Sequence, residues 1–288
     1  MIDATQPSFA TADDGPVLAC DRRTAHLHAD PQARRARAQA KRSQVLHFLR
    51  DEIWTVTEVV ATLLGVGYPA ARAVLKAMQR DGLLTSQAAF IGVGCTVRRV
   101  VLYGLTAQGL AFAWGLDEEP ETRAQWEPSK TSALFVPHQI ATQQARLRAE
   151  AAGWHGWKPA RCLMRLHLPK LPDAEAISRD GEPVAIELER EIKTDKRYEA
   201  IIGAYITQIK KDGRWTRVDY LCPDADFAAR LGRIFGRLHQ LRFETRGRAA
   251  KVAALQQVHL DRFRFFAAAD WPGEVYLTPR LTRDRTGS

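Results

Sequence analysis

Between Leu171 and Glu189 the chain runs Leu171-Pro-Asp-Ala, then a turn-forming stretch Ser178-Arg-Asp-Gly-Glu182, then Val184-Ala-Ile-Glu-Leu-Glu-Arg190. Side chains alternate faces along a strand. The spacing therefore predicts Val184, Ile186 and Leu188 on a core face, with Glu187 and Glu189 side by side on the other. Asp173, just before the hairpin, can approach that pair. Three carboxylates on one sheet face repel one another unless a cation lies between them, and an all-oxygen ligand set suits magnesium or manganese. In a basic chain, such an ion points to phosphodiester chemistry on nucleic acid. Taken singly, the same residues have plainer roles. Asp173 starts a turn, and Glu187 and Glu189 form the solvent face of an edge strand, paired with Arg190, Lys193 or Arg197. Having all three in this order, with a helix following, favours the site.

A length of 288 residues suggests two domains. A net charge of +9 favours an anionic partner, nucleic acid before membrane lipid, since no apolar run is long enough to span a bilayer. Cys20, Cys95, Cys162 and Cys222 have no paired spacing, so they are expected as free thiols in a reducing, cytoplasmic setting. The N-terminus has no signal-peptide pattern.

Residues 1–40 lack periodicity and are expected as a flexible lead-in ending in a basic arm, whose Arg34, Arg35 and Arg37 either lie on DNA phosphates or form a solvated helix face. Residues 41–116 carry a clearer signal. Val45, Leu46 and Leu49 repeat at helical spacing, and Thr55-Val-Thr-Glu58 has the form of a capping box. Gly65-Val-Gly67 breaks the second helix, and Pro69 suits the first turn of a third. There Ala71, Val74, Leu75 and Met78 form an apolar stripe, with Arg72, Lys76, Gln79 and Arg80 opposite. Two strand-like runs, Leu83–Phe90 and Val97–Tyr103, flank Gly92-Val-Gly94, and Leu105-Thr-Ala-Gln-Gly109 opens a last helix. This order resembles a winged helix-turn-helix. The resemblance implies a recognition helix over 69–80 in the major groove of double-stranded DNA, with Arg98 and Arg99 riding on the backbone or minor groove. A winged helix used for protein contacts is the alternative.

Residues 117–132 are acidic and aperiodic, an expected linker in which Trp126 tucks against a domain surface. Residues 133–278 are expected as an α/β domain. Its elements are a helix from Pro137 with Ile140, Gln144, Leu147 and Ala151 on one face; a strand over 161–168; the Asp173 and Glu187/Glu189 segment; and a helix from Thr194 to about Lys210. Tyr198, Ile201, Ile202, Tyr205 and Ile209 share the buried side of that helix. A strand at Val218–Leu221, a helix at Asp224–Leu241 and strands at 258–266 and 274–278 complete it, with a frayed tail over 279–288. Glu150 is a further candidate acid. Trp154 and Trp157 either stack on unpaired bases or fill a core edge.

Helix, strand, Pro-Asp, hairpin, Glu-x-Glu strand and helix resemble the PD-(D/E)XK nuclease core, a mixed sheet flanked by helices. More narrowly, residues 135–266 resemble the replication-relaxation family, which includes MobC-type plasmid relaxases. The likeness lies in Pro137-His138, Pro172-Asp173, Ile186-Glu-Leu-Glu189, Lys193-Thr-Asp-Lys-Arg197-Tyr198, Tyr205 and Val258-His-Leu-Asp-Arg-Phe-Arg-Phe265. It implies metal-dependent nicking of one strand at a plasmid transfer or replication origin, beside relaxosome or coupling proteins, with Asp173 and Glu187 holding magnesium or manganese. An acid, Glu189, stands where the nuclease pattern has lysine. Either Glu189 is a further ligand and Lys193 or Lys196 supplies the cation, or Tyr198 or Tyr205 attacks the phosphorus, or the domain is an inactive nuclease fold in a DNA-binding regulator or accessory protein. A restriction-like nuclease is a further class.

Overall fold

A computed structural model describes residues 30–93, 96–115, 117–121, 123, 125–243 and 250–282. Residues 1–29 with Cys20, the hairpin tip with Gly94 and Cys95, and residues 283–288 lie outside it. The chain divides into two compact units, 1–41 and 42–288. Of the first, the described part is helical, the beginning of α1 (Pro31–Glu52). Asp30 caps it, accepting from the amides of Gln32 (2.9 Å) and Ala33 (3.0 Å). The expected arm residues Arg34, Arg35 and Arg37 are thus on a helix. Alanine, arginine and glutamine are strong helix formers even where no apolar stripe marks them.

In the second unit, β1 (Trp54–Val56), α2 (Thr57–Leu64), α3 (Tyr68–Arg80), β2 (Leu84–Val93), β3 (Thr96–Leu105) and α4 (Ala107–Ala111) follow in turn. The sheet order β1-β3-β2 is antiparallel throughout. Helices α2 and α3 meet at 105° across Gly65-Val-Gly67, within the range of a helix-turn-helix. Gly65 ends α2 in the left-handed region (φ 59°), which favours glycine. Thr106 caps α4, its hydroxyl oxygen accepting from Gly109 N at 3.0 Å. Gly109 lies so close to the Leu83 carbonyl that a Cβ would overlap it. This is a winged helix-turn-helix, as expected. The Thr55 to Glu58 capping box is not formed. Thr55 turns instead to Gln143, and Glu58 pairs with Arg98.

The α/β part runs α5 (Val136–Ala151), β4 (His155–Pro159), α6 (Ala160–Leu163), β5 (Ala174–Ile177), β6 (Pro183–Leu188), α7 (Asp195–Asp212), β7 (Arg217–Cys222), α8 (Ala225–Gly236), β8 (Gln240–Phe243), β9 (Lys251–Ala254), α9 (Gln257–Leu260) and β10 (Phe263–Ala267). A five-stranded mixed sheet has the order β10-β7-β6-β5-β4. Strand β7 lies parallel to β10 and β6, and the other pairs are antiparallel. Helix α5 covers one face with Trp154, Trp157 and Trp271, and α7 and α8 cover the other. The fold is mixed α/β, as expected.

Several local expectations change. The strand expected over 161–168 is short helix, α6 and a 3-10 turn, and the strand lies earlier at β4. Gln144 and Ala151 are exposed on α5, whereas Thr142, Gln143 and Ala145 are buried. The helix expected to reach Leu241 stops at Gly236, and Val258–Leu260 is helical. Residues 274–278 contribute one bridge, Phe265 to Leu277. Residues 279–282 are not frayed: Leu281 N donates to Gln257 Oε1 at 3.0 Å and Thr282 N to Gly236 O at 2.8 Å. Cys162 and Cys222 are free thiols, and burial pushes Cys222 up to about 12. No single described helix is long and apolar enough to cross a membrane.

The winged helix and the sheet domain share one apolar cluster. Phe48, Trp54, Val59 and Leu102 pack with Val136 and Leu147 of α5. Trp126 joins them, as expected, over Gly104, where any Cβ would overlap its ring. Polar contacts across the junction are specific. Gln143 Nε2 donates to Trp54 O (2.6 Å) while its Oε1 accepts from Thr55 Oγ1 (2.8 Å). Arg146 Nη1 reaches the buried carboxylate of Glu52 at 3.0 Å, and Arg161 caps the carbonyls of Arg50 and Asp51.

Candidate functional site

Two regions bear on function. The first is the outer face of α3. Ala71, Leu75 and Met78 are buried, which turns Arg72, Lys76, Gln79 and Arg80 to the surface. Gln79 Nε2 donates to Ser86 Oγ at 3.1 Å. Arg72, Lys76 and Arg80 make no ion pair among the described residues. On the wing, Arg99 is exposed, while Arg98 is paired with Glu58.

The second region lies where β5 begins and the antiparallel β6 ends. Asp173 is held by three groups. Its Oδ1 lies 3.0 Å from His138 Nε2, its Oδ2 accepts from Leu188 N at 2.7 Å, and its own amide donates to Ile186 O. Burial disfavours the carboxylate charge, but the His138 hydrogen bond and charge outweigh it and hold Asp173 below its ordinary value. The same bond raises His138 against the opposing effect of burial. Glu187 points to the α7 face, as the alternation requires, and bonds to Lys170 Nζ and the Tyr205 hydroxyl. Burial pushes it up to about 7, despite Lys170, and the charge of Asp173 adds to the rise. Glu189 is likewise buried, but it is held by Lys193.

Among the described residues no three His, Cys, Asp or Glu side chains gather as one ligand set. The expected cluster of three is therefore replaced by separate neutralised carboxylates: Asp173 with His138, Glu187 with Lys170, Glu189 with Lys193. The physical cause is that β6 is a central strand covered on both faces, where a buried carboxylate needs a partner of its own. Lys196 is exposed at the start of α7 and makes no ion pair among the described residues. Tyr198 and Tyr205 are fully buried, and burial raises both phenols well above their ordinary value. That disfavours the phenolate an attacking tyrosine needs. Glu150 pairs with Arg146 on α5, at 2.8 Å. Trp154 and Trp157 are buried against Trp271, so they fill a core edge.

The sequence reading missed Lys170, which sits in a proline-rich loop without periodicity, and gave His138 no site role. His138 and Asp173 also line a largely apolar cavity of about 620 Å³, together with Trp54, Trp126, Phe135 and Arg161.

Glu187 yields a pH test. Its folded value, about 7, lies above the ordinary 4.5, so the folded state binds the proton more tightly. The penalty is absent below about 4.5, grows as pH rises toward about 7, and is complete above. At 1.36 kcal/mol per unit it amounts to roughly 3 kcal/mol at most. Glu187→Gln is expected to flatten the fall in stability between pH 5 and pH 8, read from denaturant midpoints. An unchanged slope would mean that Glu187 is charged throughout.

No family model matches the chain, and no curated protein matches it. Among solved structures, a cysteine-to-serine mutant of ZitR from Lactococcus lactis is similar at 26% identity over 26% of this chain and 47% of its own, with a TM-score of 0.22. A ZitR double mutant in its apo form is similar at 23% identity over 28% of this chain and 58% of its own, also with a TM-score of 0.22. The chain thus spans about half the length of these ZitR chains, and at that TM-score the likeness says nothing about function.

Proposed function

We propose that this chain binds duplex DNA by docking α3 in the major groove. The observation that carries the reading is the outer face of α3. Three cations, without ion pairs among the described residues, stand on the second helix of a helix-turn-helix whose opposite face is buried. Such a helix presents long cationic side chains to phosphates and base edges, and Arg72 and Gln79 have the donors to read guanine or adenine. Mixing wild-type protein with random-sequence duplexes should enrich a common motif, and affinity should fall steeply with salt. Equal recovery of all sequences with no salt dependence would rule the reading out.

A second reading has its own observation. Asp173, Glu187 and Lys170 lie close enough to act on one another's charge. Two carboxylates with waters suit magnesium or manganese, and burial and the charge of Asp173 raise Glu187 against the pull of Lys170, a penalty on the carboxylate form that a bound cation would relieve. In this reading the chain resembles the replication-relaxation family in activity as well as motif: Asp173 and Glu187 would hold the ion, which supplies charge neutralisation at the phosphate. Lys170 then takes the place of the lysine missing at Glu189. Supercoiled plasmid carrying the cognate site is expected to become open circles with manganese, at a rate reduced by at least about 100-fold in Asp173→Asn. Wild type and variant equally inert, with DNA binding intact, would leave a non-catalytic DNA-binding protein.

A further inference from the structure

Helix α7 and strand β8 meet at an unusually short approach. A Cβ on Gly203 would overlap the carbonyl of Arg242, and Ala200 and Ala204 leave room alongside. The result is a hollow of about 310 Å³ lined by Lys170, Arg197 and Arg242, with Ile201, Thr207 and Phe243 among the walls and, among the described residues, no acidic side chain. Three cations around one small volume repel, and the fold balances only part of that charge. Lys170 is paired with Glu187. Arg242 lies 3.6 Å from Glu199, yet its Nε is buried and donates no hydrogen bond. Arg197 is exposed and has no ion pair among the described residues. Among the described residues the hollow therefore holds a cation without a counter-charge, Arg197, and a guanidinium nitrogen without an acceptor, Arg242 Nε.

A tetrahedral oxyanion offers both, since its several oxygens accept from divergent guanidinium and ammonium donors at once. We propose that the hollow binds a phosphate group, supplied by the backbone of a DNA strand. This rests on the reading that the chain binds DNA. Because Lys170 belongs both to the hollow and to the Glu187 pair, a phosphate there stands beside the Asp173 and Glu187 carboxylates. The strand would so be led past them at a place separate from α3.

The test uses the full chain and fluorescence anisotropy of a labelled duplex with a single-stranded extension, over a salt series. Arg197→Glu, an exposed position, is expected to weaken binding about 10-fold or more and to lower the salt slope by about 1. Arg197→Lys should retain most of the affinity. The loss should add to that of Arg72→Ala, which acts at the other site. A parallel titration uses inorganic phosphate. If DNA affinity is unaffected by Arg197→Glu but millimolar phosphate protects the wild type alone from thermal unfolding, the hollow stands as a phosphate site filled from solution. If Arg197→Glu alters neither response while Arg72→Ala still weakens DNA binding, the phosphate proposal falls and the DNA reading survives.

Discussion

Replacing Arg72, Lys76 and Arg80 together by alanine is expected to lower the affinity for cognate duplex by about two to four orders of magnitude. A phosphate no longer met by a cation keeps the counterion that binding would have released, and each base-edge hydrogen-bonding pair carries roughly 1–3 kcal/mol of discrimination. The three side chains have no internal ion pairs among the described residues, so their removal leaves no buried group unpaired. The fold should stay within about 0.5 kcal/mol of wild type, the usual range for surface substitutions. Salt dependence separates the roles. Removing a residue that meets a phosphate lowers the slope of log affinity against log salt by about 0.9 and weakens all sequences alike. Removing a base-reading residue relaxes preference at one position. Arg72 is the residue expected to show the second behaviour. A triple variant that binds as tightly as wild type would move the DNA interface elsewhere.

Arg146→Met is expected to cost the fold about 3–5 kcal/mol, because it leaves the Glu52 carboxylate buried without its cation. Glu52 is almost fully buried at the end of α1, and Arg146 reaches it from α5 at 3.0 Å. The loss therefore falls on the junction between the winged helix and the sheet domain. Burial already holds Glu52 above its ordinary value, against the pull of Arg146. Removing the arginine raises it further. The folded state then binds the proton more tightly than the unfolded, so the destabilisation is small at low pH and grows as pH rises. Adding Glu52→Gln removes the charge and should recover most of the loss. Denaturant unfolding at pH 5 and pH 8 measures all three proteins, and a loss under about 1 kcal/mol at pH 8 would contradict the role given to the pair.

The parts of the fold that were legible in the sequence are those with a local signal. Helix α3 announced itself by Pro69 and the Ala71, Leu75, Met78 stripe. Helix α7 did so by Thr194, whose hydroxyl caps it, and by the buried face through Tyr198 and Tyr205. The alternation of β6 correctly sent Glu187 away from Val184 and Ile186. Where local pattern misled, another effect won. The alternation at 161–168 is compatible with a helix as well as a strand, and only Leu163 of that run is buried. The start of α1 has no apolar stripe at all, so only its cap and propensity mark it. The candidate site was half legible. Its acids, and the Lys193 that pairs with Glu189, could be found from turn and strand spacing, but the partners of Asp173 and Glu187 could not. Lys170 reaches Glu187 from 17 residues away, and His138 reaches Asp173 from another helix. Those pairings depend on the closed sheet and on α5 lying against it, which no short-range period records. The joining of the two halves through Gln143, Arg146 and Arg161 was equally hidden, since buried polar residues on a helix face look like surface residues in sequence.

Hydrogen exchange of the wild-type protein with and without its enriched duplex tests the central claim most directly. Added DNA is expected to slow exchange in α3, over 68–80, and in the wing strands β2 and β3, while the core strand β7 stays unchanged. Protection confined to other segments, with α3 exchanging as in the free protein, would contradict docking through that helix.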